Sequence, residues 1–279
     1  MKKDLILVVG ASGTVGSEVV RILKANGHSV RQATSQPSTK TDLVQVNLAT
    51  KEGISQAFAG VDKAFFLSPP GFTNQYEILS PLIQQAQKSH LKKVVLMTAL
   101  GANASESTPF RRAEIELEKS GLIFNIVRPN WFMQNFNTFW IQGIREQGKI
   151  LLPAGKAKTS FIDARDISAV IAQLLITDQF QNQAFDLTGP QALEHGEVAQ
   201  ELTSAIGKPI HYQEIAPIEL KRSLLKAGLP EDYSDFLLVI LGYLKEGYNS
   251  GITDNVRKIL GREPKTLKTY IQDYRSAWL

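Results

Sequence analysis

The feature that most restricts this chain is a change of sequence period that repeats through its first half. Short apolar runs alternate with stretches of helical spacing. The runs are LILVV (5–9), HSVRQAT (28–34), LVQVNL (43–48), KAFFLS (63–68), KKVVLMTA (92–99) and LIFNIVR (122–128), and the helical stretches are 14–27, 51–59, 73–89 and 109–120. Runs this short and this rich in β-branched and aromatic residues read as strands buried on both faces, with helical crossovers between them. That is the signature of a doubly wound α/β fold with a parallel sheet. The pattern continues with a helix at 163–177 and a strand at 183–189, and then changes. Helices at 195–206, 217–227, 232–246, 253–260 and 265–275 dominate the remainder, interrupted by one short strand at 209–215. The expected domains are residues 1–128 with 155–188 for the sheet, and 129–154 with 189–279 for a smaller, mostly helical C-terminal lobe that binds substrate.

The first strand runs into VVGASGTVGSEVV (8–20), where three glycines fall three residues apart. Gly10 lets the chain turn at the strand end. Gly13 lets the backbone approach a pyrophosphate, and Gly16 lets the following helix pack close to the sheet. The helix start offers free N–H groups and a positive dipole end, carried by Gly13, Thr14 and Val15. Ser12 and Thr14 add hydroxyl donors. A G-x-x-G-x-x-G alone is weak, but between the first strand and first helix of such a chain it predicts a dinucleotide and a Rossmann fold.

NAD-specific enzymes of this class carry an acid at the end of the second strand to bond the ribose 2′-OH. Here no acid lies between Glu18 and Asp42. With Thr34 and Ser35 at the strand end, and Arg31 and Lys40 nearby, the pattern tilts toward NADP (NADPH), with NAD as the alternative. Read singly, Arg31 and Lys40 are solvated surface charges.

Composition narrows the remaining classes. The net charge is +4 with no basic tail, so nucleic acid is not an expected partner. The chain has no cysteine, which closes disulfide, thiolate and cysteine–metal chemistry. His28, His90, His195 and His211 lie far apart, so no metal site is expected. The apolar start ends at Gly10, too short for a signal peptide, and no window reaches membrane-span length. The chain reads as cytoplasmic, a monomer or homodimer acting on a small molecule.

Taken together, VVGASGTVGSEVV, VNL (46–48), FFLSPP (65–70), VVLMTALGA (94–102), ELEKSGLIFNIVRPNWFMQNF (116–136), FIDARDISAV (161–170), FDLTGPQAL (185–193) and ITDNVRKILGREPKTL (252–267) resemble the NmrA-like family of atypical short-chain dehydrogenases, which includes NADPH-dependent quinone and dye reductases. The resemblance implies that Asn47 and Leu48 hold adenine, Asn47 through its carbonyl in place of the commoner acid. It implies that Ser68 and Pro69 line the ribose–phosphate path, that Thr98 lies beneath the nicotinamide, and that Pro129 and Asn130 hold its carboxamide end. Trp131, Phe132, Met133 and Phe136 then form an aromatic wall suited to a flat acceptor such as a quinone. Read without the resemblance, this cluster is lobe packing.

One departure bears on mechanism. Typical short-chain dehydrogenases use Tyr-x-x-x-Lys to protonate a carbonyl. In register with the family pattern those positions are Glu106 and Phe110, and Thr98 is left as a weak donor. The sequence therefore predicts an NAD(P)H-dependent reductase passing hydride to a planar, electron-poor acceptor. A non-catalytic NAD(P)-binding redox sensor is the alternative, and a sugar-nucleotide epimerase, which needs the missing pair, ranks last.

Overall fold

Each apolar run of the first half forms a strand: β1 (Leu5–Val9), β2 (Ser29–Thr34), β3 (Leu43–Gln45), β4 (Lys63–Leu67), β5 (Lys93–Met97) and β6 (Ile123–Pro129). With β8 (Gln183–Leu187) they make one seven-stranded sheet in the order β3-β2-β1-β4-β5-β6-β8. The pairings from β3 across to β6 are parallel, and one row of the sheet reads Gln32, Val8, Phe65, Val95, Asn125. The computed structural model describes residues 4–36 and 41–279.

The order reverses at β1. The chain builds outward through β2 and β3, then returns to place β4 on the other side of β1. In open α/β sheets such a switch point opens a crevice at the carboxyl ends of the strands, where ligands bind. The helices α1 (Thr14–Ala25), α2 (Ile54–Ala57), α3 (Gln75–Lys88) and α4 (Pro109–Glu118) are crossovers of this sheet. Val15, Val19, Val20 and Leu23 recur at helical spacing on α1 and are all buried. A core including Leu7, Val9, Phe66, Leu79, Ile83, Val94 and Leu117 fills one side.

The described residues fall into two compact units. The sheet unit runs to Pro129 and takes in Arg165–Asp186 and Lys258–Gly261. The other comprises Asn130–Ala164, Leu187–Arg257 and Arg262–Leu279. This second unit contains α5 (Ile141–Gln147), β7 (Lys149–Leu152), α7 (His195–Ile206), β9 (His211–Glu214), α8 (Pro217–Lys226), α9 (Glu231–Lys245) and α11 (Leu267–Asp273). Helices α6 (Ala164–Ile176) and α10 (Asn255–Leu260) complete the set. The second core gathers Phe136, Ile150, Phe161, Val198, Leu202, Leu241, Tyr270 and Trp278.

Three details differ from the sequence reading. The helix expected over 51–59 is only Ile54–Ala57, because Gly53 stands in the left-handed region at φ +81 just before it. The strand at 209–215 shortens to β9, and it is not alone: it pairs in parallel with β7, Lys149 opposite His211. Neither α5 nor β7 is evident from periodicity, since α5 has seven residues and ends at once on Gly148 (φ +64).

Candidate functional site

The glycine turn separates into three different requirements. Gly10 follows β1 with φ +69, a conformation other residues rarely adopt. Gly16 carries the tightest approach: an ideal Cβ there would lie 2.1 Å from the Gly10 carbonyl oxygen. The sequence predicts that this glycine admits α1 to the sheet, whereas the obstructing atoms belong to the turn itself. Gly13 is neither strained nor crowded. Its backbone is extended (φ −82, ψ 173), and a Cβ would meet only the Gly10 oxygen, at an ordinary 3.4 Å.

The surroundings of Gly13 fit an anion. It stands at the N-cap of α1, no side chain caps the helix, and no acid occupies the first turn. The Gly13 N–H is taken by Gly10 O at 3.0 Å and the Ser17 N–H by Gly13 O at 2.9 Å. The first-turn amides between them point out of the helix start, beside the exposed Ser12, Gly13 and Thr14. Val15 is buried, and its carbonyl accepts from the Ser168 hydroxyl at 3.1 Å, which ties the helix start to α6. A pyrophosphate held here would meet N–H donors and a positive dipole end with no carboxylate opposing it.

The neighbouring strand ends carry the remaining cofactor candidates. Thr34 is buried at the end of β2 and its hydroxyl accepts from the Gln36 N–H, while Ser35 is exposed. Asn47 is exposed, but its Oδ1 already accepts from the N–H groups of Ala49 and Thr50, at 3.0 and 3.1 Å. The acceptor expected for an adenine amine is therefore occupied, and only the Nδ2 donor remains. Leu48 packs on the core edge. Ser68 and Pro69 follow β4 half-buried, next to Leu67, whose side chain lies against Gly10.

Arg31 is half-buried, and one of its guanidinium nitrogens, Nη1, is engaged within the protein. Its guanidinium donates to the carbonyls of Ala57 and Ala59, at 3.0 and 2.5 Å, closing the end of α2. Lys40 lies outside the described residues.

Thr98 leads into a buried ionic network. It follows β5, its N–H donates to Val127 O at 3.0 Å, and its hydroxyl donates to Glu114 at 2.7 Å. Glu114 has no exposed surface. It also accepts from Arg128 Nε at 2.8 Å, Arg128 Nη2 at 2.7 Å and Arg111 Nη1 at 2.9 Å. Burial alone would raise its pKa, but the bonds from Arg128 and Thr98 outweigh it and hold the group below the ordinary carboxylate range. The Thr98 proton is thus aimed at a carboxylate, and what this hydroxyl has left is oxygen lone pairs. A donor role for Thr98 is not supported by this geometry. Of the two relay positions, Glu106 is exposed in a turn and Phe110 packs on the core.

Of the residues after β6, Pro129 keeps a strand position and its carbonyl accepts from the Leu100 N–H at 3.0 Å. Asn130 is buried, and its carboxamide makes four hydrogen bonds, to Trp131, Ser160 and twice to Asn249. No position of that group is left for a ligand, so the cofactor contact expected at Asn130 falls to its main chain. Trp131 and Phe132 are half-buried. Trp131 stacks on Trp140 with ring centroids 6.2 Å apart. Phe136 and Met133 are core: Phe136 has no exposed surface and contacts Trp140, Phe161 and His195 edge-on or tilted. The pocket role expected of Phe136 is corrected on that ground. Among the described residues no group of three acidic or histidine side chains could hold a metal.

The Glu114–Arg128–Arg111 cluster is what the sequence reading misses. A signal for it exists: Glu114 falls at helical spacing with Phe110, Ala113 and Leu117, an acid on an apolar stripe.

The fold and glycine turn define a nucleotide-binding α/β protein, and the comparisons make the family definite. The NmrA-like family model matches residues 2–271. The chain is 33% identical to the NAD(P)H azoreductase of Xenophilus azovorans, over 98% of this chain and 99% of that one. It therefore belongs to the NmrA-like family. Among solved structures it is similar to the NADPH-dependent quinone oxidoreductase of Escherichia coli, complexed with NADPH (TM-score 0.81, 21% identity, 97% of this chain and 99% of that one). The triphenylmethane reductase of Citrobacter sp., complexed with NADP(H), is likewise similar (TM-score 0.81, 22% identity, 96% and 99%). These two likenesses bear on the fold alone.

Proposed function

We propose that this protein is an NAD(P)H-dependent oxidoreductase that reduces a planar, electron-poor small molecule, such as a quinone or an azo dye, and that it prefers NADPH. The observation that carries the reading is the uncapped start of α1, where Gly13 leaves room that the protein's own packing does not require. The azoreductase relative, similar over nearly the full length of both chains, supports the redox assignment.

The bound nicotinamide cofactor supplies a hydride. The chain's residues bind and orient. Ser12, Gly13, Thr14 and the first-turn amides hold the pyrophosphate, and Thr34, Ser35, Leu48, Ser68 and Pro69 line the path of the rest. The absence of an acid at Ser35 leaves a 2′-phosphate unopposed. Glu114, anchored by two arginines, fixes Thr98 so that its oxygen accepts rather than donates. Trp131 and Phe132 present ring surface to a flat acceptor. With no Tyr-x-x-x-Lys relay, the anion left after hydride transfer takes its one proton from water, which suits acceptors whose reduced anion is stable. Orientation and exclusion of water then carry most of the rate.

A screen of NADPH and NADH oxidation over quinones, azo dyes and aliphatic ketones tests this. Turnover is expected with the first two groups and not with ketones. Reduction of simple ketones as fast as quinones would refute the mechanism, and tight NADPH binding without turnover on any acceptor would refute the reductase reading.

A further inference from the structure

The segment joining α9 to α10, residues 247–253, has no regular secondary structure and yet is clamped by buried polar groups. Asn130 Nδ2 donates to the Asn249 carbonyl at 2.8 Å, and Asn249 Nδ2 returns a bond to Asn130 Oδ1 at 2.9 Å. Ser160 adds its N–H to Asn249 O at 3.0 Å and its hydroxyl to Gly251 O at 2.6 Å. The Thr253 N–H donates to Thr188 Oγ1 at 2.9 Å. Asn130, Ser160 and Thr188 are all buried.

Ordering a loop costs about 1–2 kcal/mol per residue in backbone entropy. This segment recovers little of that through its large side chains. Tyr248 is 74% exposed and Ile252 55% exposed, and the Tyr248 ring meets Tyr243, itself 58% exposed, edge-on at 6.0 Å between ring centroids. A rigid backbone holding bare aromatic and branched surface in the open is a preorganised binding wall. The same Asn130 Oδ1 that holds Asn249 also accepts the Trp131 N–H at 2.9 Å. One carboxamide thus sets both this segment and the candidate acceptor residue beside it in sequence.

We propose that Asn130 and Asn249 form a latch that holds residues 247–252 in register with Trp131, and that Tyr248 and Ile252 decide which planar acceptor is preferred. The proposal rests on the acceptor reading given above. Asn130 and Asn249 are positioning residues, and Tyr248 and Ile252 meet the acceptor's ring edges through apolar contact.

The test uses the full chain with naphthoquinone and the smaller benzoquinone. Acceptor affinity is also read without turnover, from quenching of tryptophan fluorescence by each quinone. Loss of an aromatic or branched contact should raise the naphthoquinone KM in Tyr248→Ala and Ile252→Ala about three- to tenfold, with benzoquinone shifted less than about twofold. Melting temperature and NADPH affinity should hold, since both side chains are exposed. Asn249→Ala should raise the naphthoquinone KM and largely retain kcat, whereas a merely structural role would lower the active fraction and leave KM alone. Unchanged KM and unchanged quenching affinity in both Tyr248→Ala and Ile252→Ala overturn the latch. If the wild-type protein binds naphthoquinone and turns over no acceptor, the reductase reading fails, and the quenching series alone decides the latch. If it binds neither quinone, both fall.

Discussion

Gly13 and Gly16 sit three residues apart in one turn, and the structure predicts opposite consequences for the same methyl group. In Gly16→Ala the new Cβ would lie 2.1 Å from the Gly10 oxygen and 2.7 Å from its carbonyl carbon. Both are backbone atoms, so the turn itself must move by about an ångström, an overpacking cost of about 1–3 kcal/mol or more. In Gly13→Ala the Cβ meets one atom at 3.4 Å on a backbone any residue adopts. Losing a flexible residue from the unfolded chain stabilises by about 0.4–1 kcal/mol, and alanine is a poorer N-cap by a similar amount, so the two effects roughly cancel. Gly13→Ala should therefore melt within about 3 °C of wild type, by the usual 2–4 °C per kcal/mol for chains of this size. Its methyl group stands where the phosphate must come. Loss of one or two charge-assisted hydrogen bonds, each about 1.5–3 kcal/mol, should weaken NADPH at least about tenfold. Thermal melts with and without NADPH, together with calorimetric titration, separate the two variants. A Gly13→Ala protein that binds NADPH as tightly as wild type would refute the assignment of the turn. A Gly16→Ala protein of unchanged stability would refute the packing argument.

Three further outcomes follow from individual polar side chains. His195, at the first position of α7, is ringed by Phe136, Trp140, Phe161 and Tyr212, and neither ring nitrogen has a hydrogen-bond partner. Burial pushes its pKa down to about 4 from the ordinary 6.5. The unfolded chain takes up the proton first, so stability is complete above about pH 6.5 and is lost as pH falls toward 4, by on the order of 3 kcal/mol at 1.36 kcal/mol per unit. His195→Phe should flatten that part of a pH–stability curve, and an unaltered slope would count against it. Glu114→Gln leaves Arg128 and Arg111 without their buried anion and should cost about 3 kcal/mol, roughly 6–12 °C in Tm, read by calorimetry. Arg31→Ala should leave the ratio of NADPH to NADH dissociation constants unchanged, because Nη1 anchors the side chain to the end of α2; a marked loss of NADPH preference would mean that it reaches the 2′-phosphate.

Strand order, the glycine turn and the helical character of the second unit were legible because each depends on local period or on residues adjacent in sequence. What escaped depends on distant partners. Arg31 closes a helix 26 residues away, and Asn130 finds Asn249 across 119 residues. Nothing in WFMQNFNTFW separates Trp131 from Phe136, which lie on the same short segment. Phe161 and His195, distant in sequence, pack on Phe136 along with Trp140 and make it core. Glu114 is the case in which a signal was present: an acid at a buried helical position needs a cation, and Arg128 stands in the strand behind it.

The central claim is that the glycine turn holds a nicotinamide cofactor in one fixed orientation for direct reduction of a planar acceptor. NADPH deuterated at one or the other prochiral hydrogen of nicotinamide C4 tests it most directly, with naphthoquinone as acceptor. One epimer alone should lose its label, and the same epimer alone should show a primary isotope effect on turnover. Equal loss from both epimers, or retention of label in both with NADPH tightly bound, would contradict it.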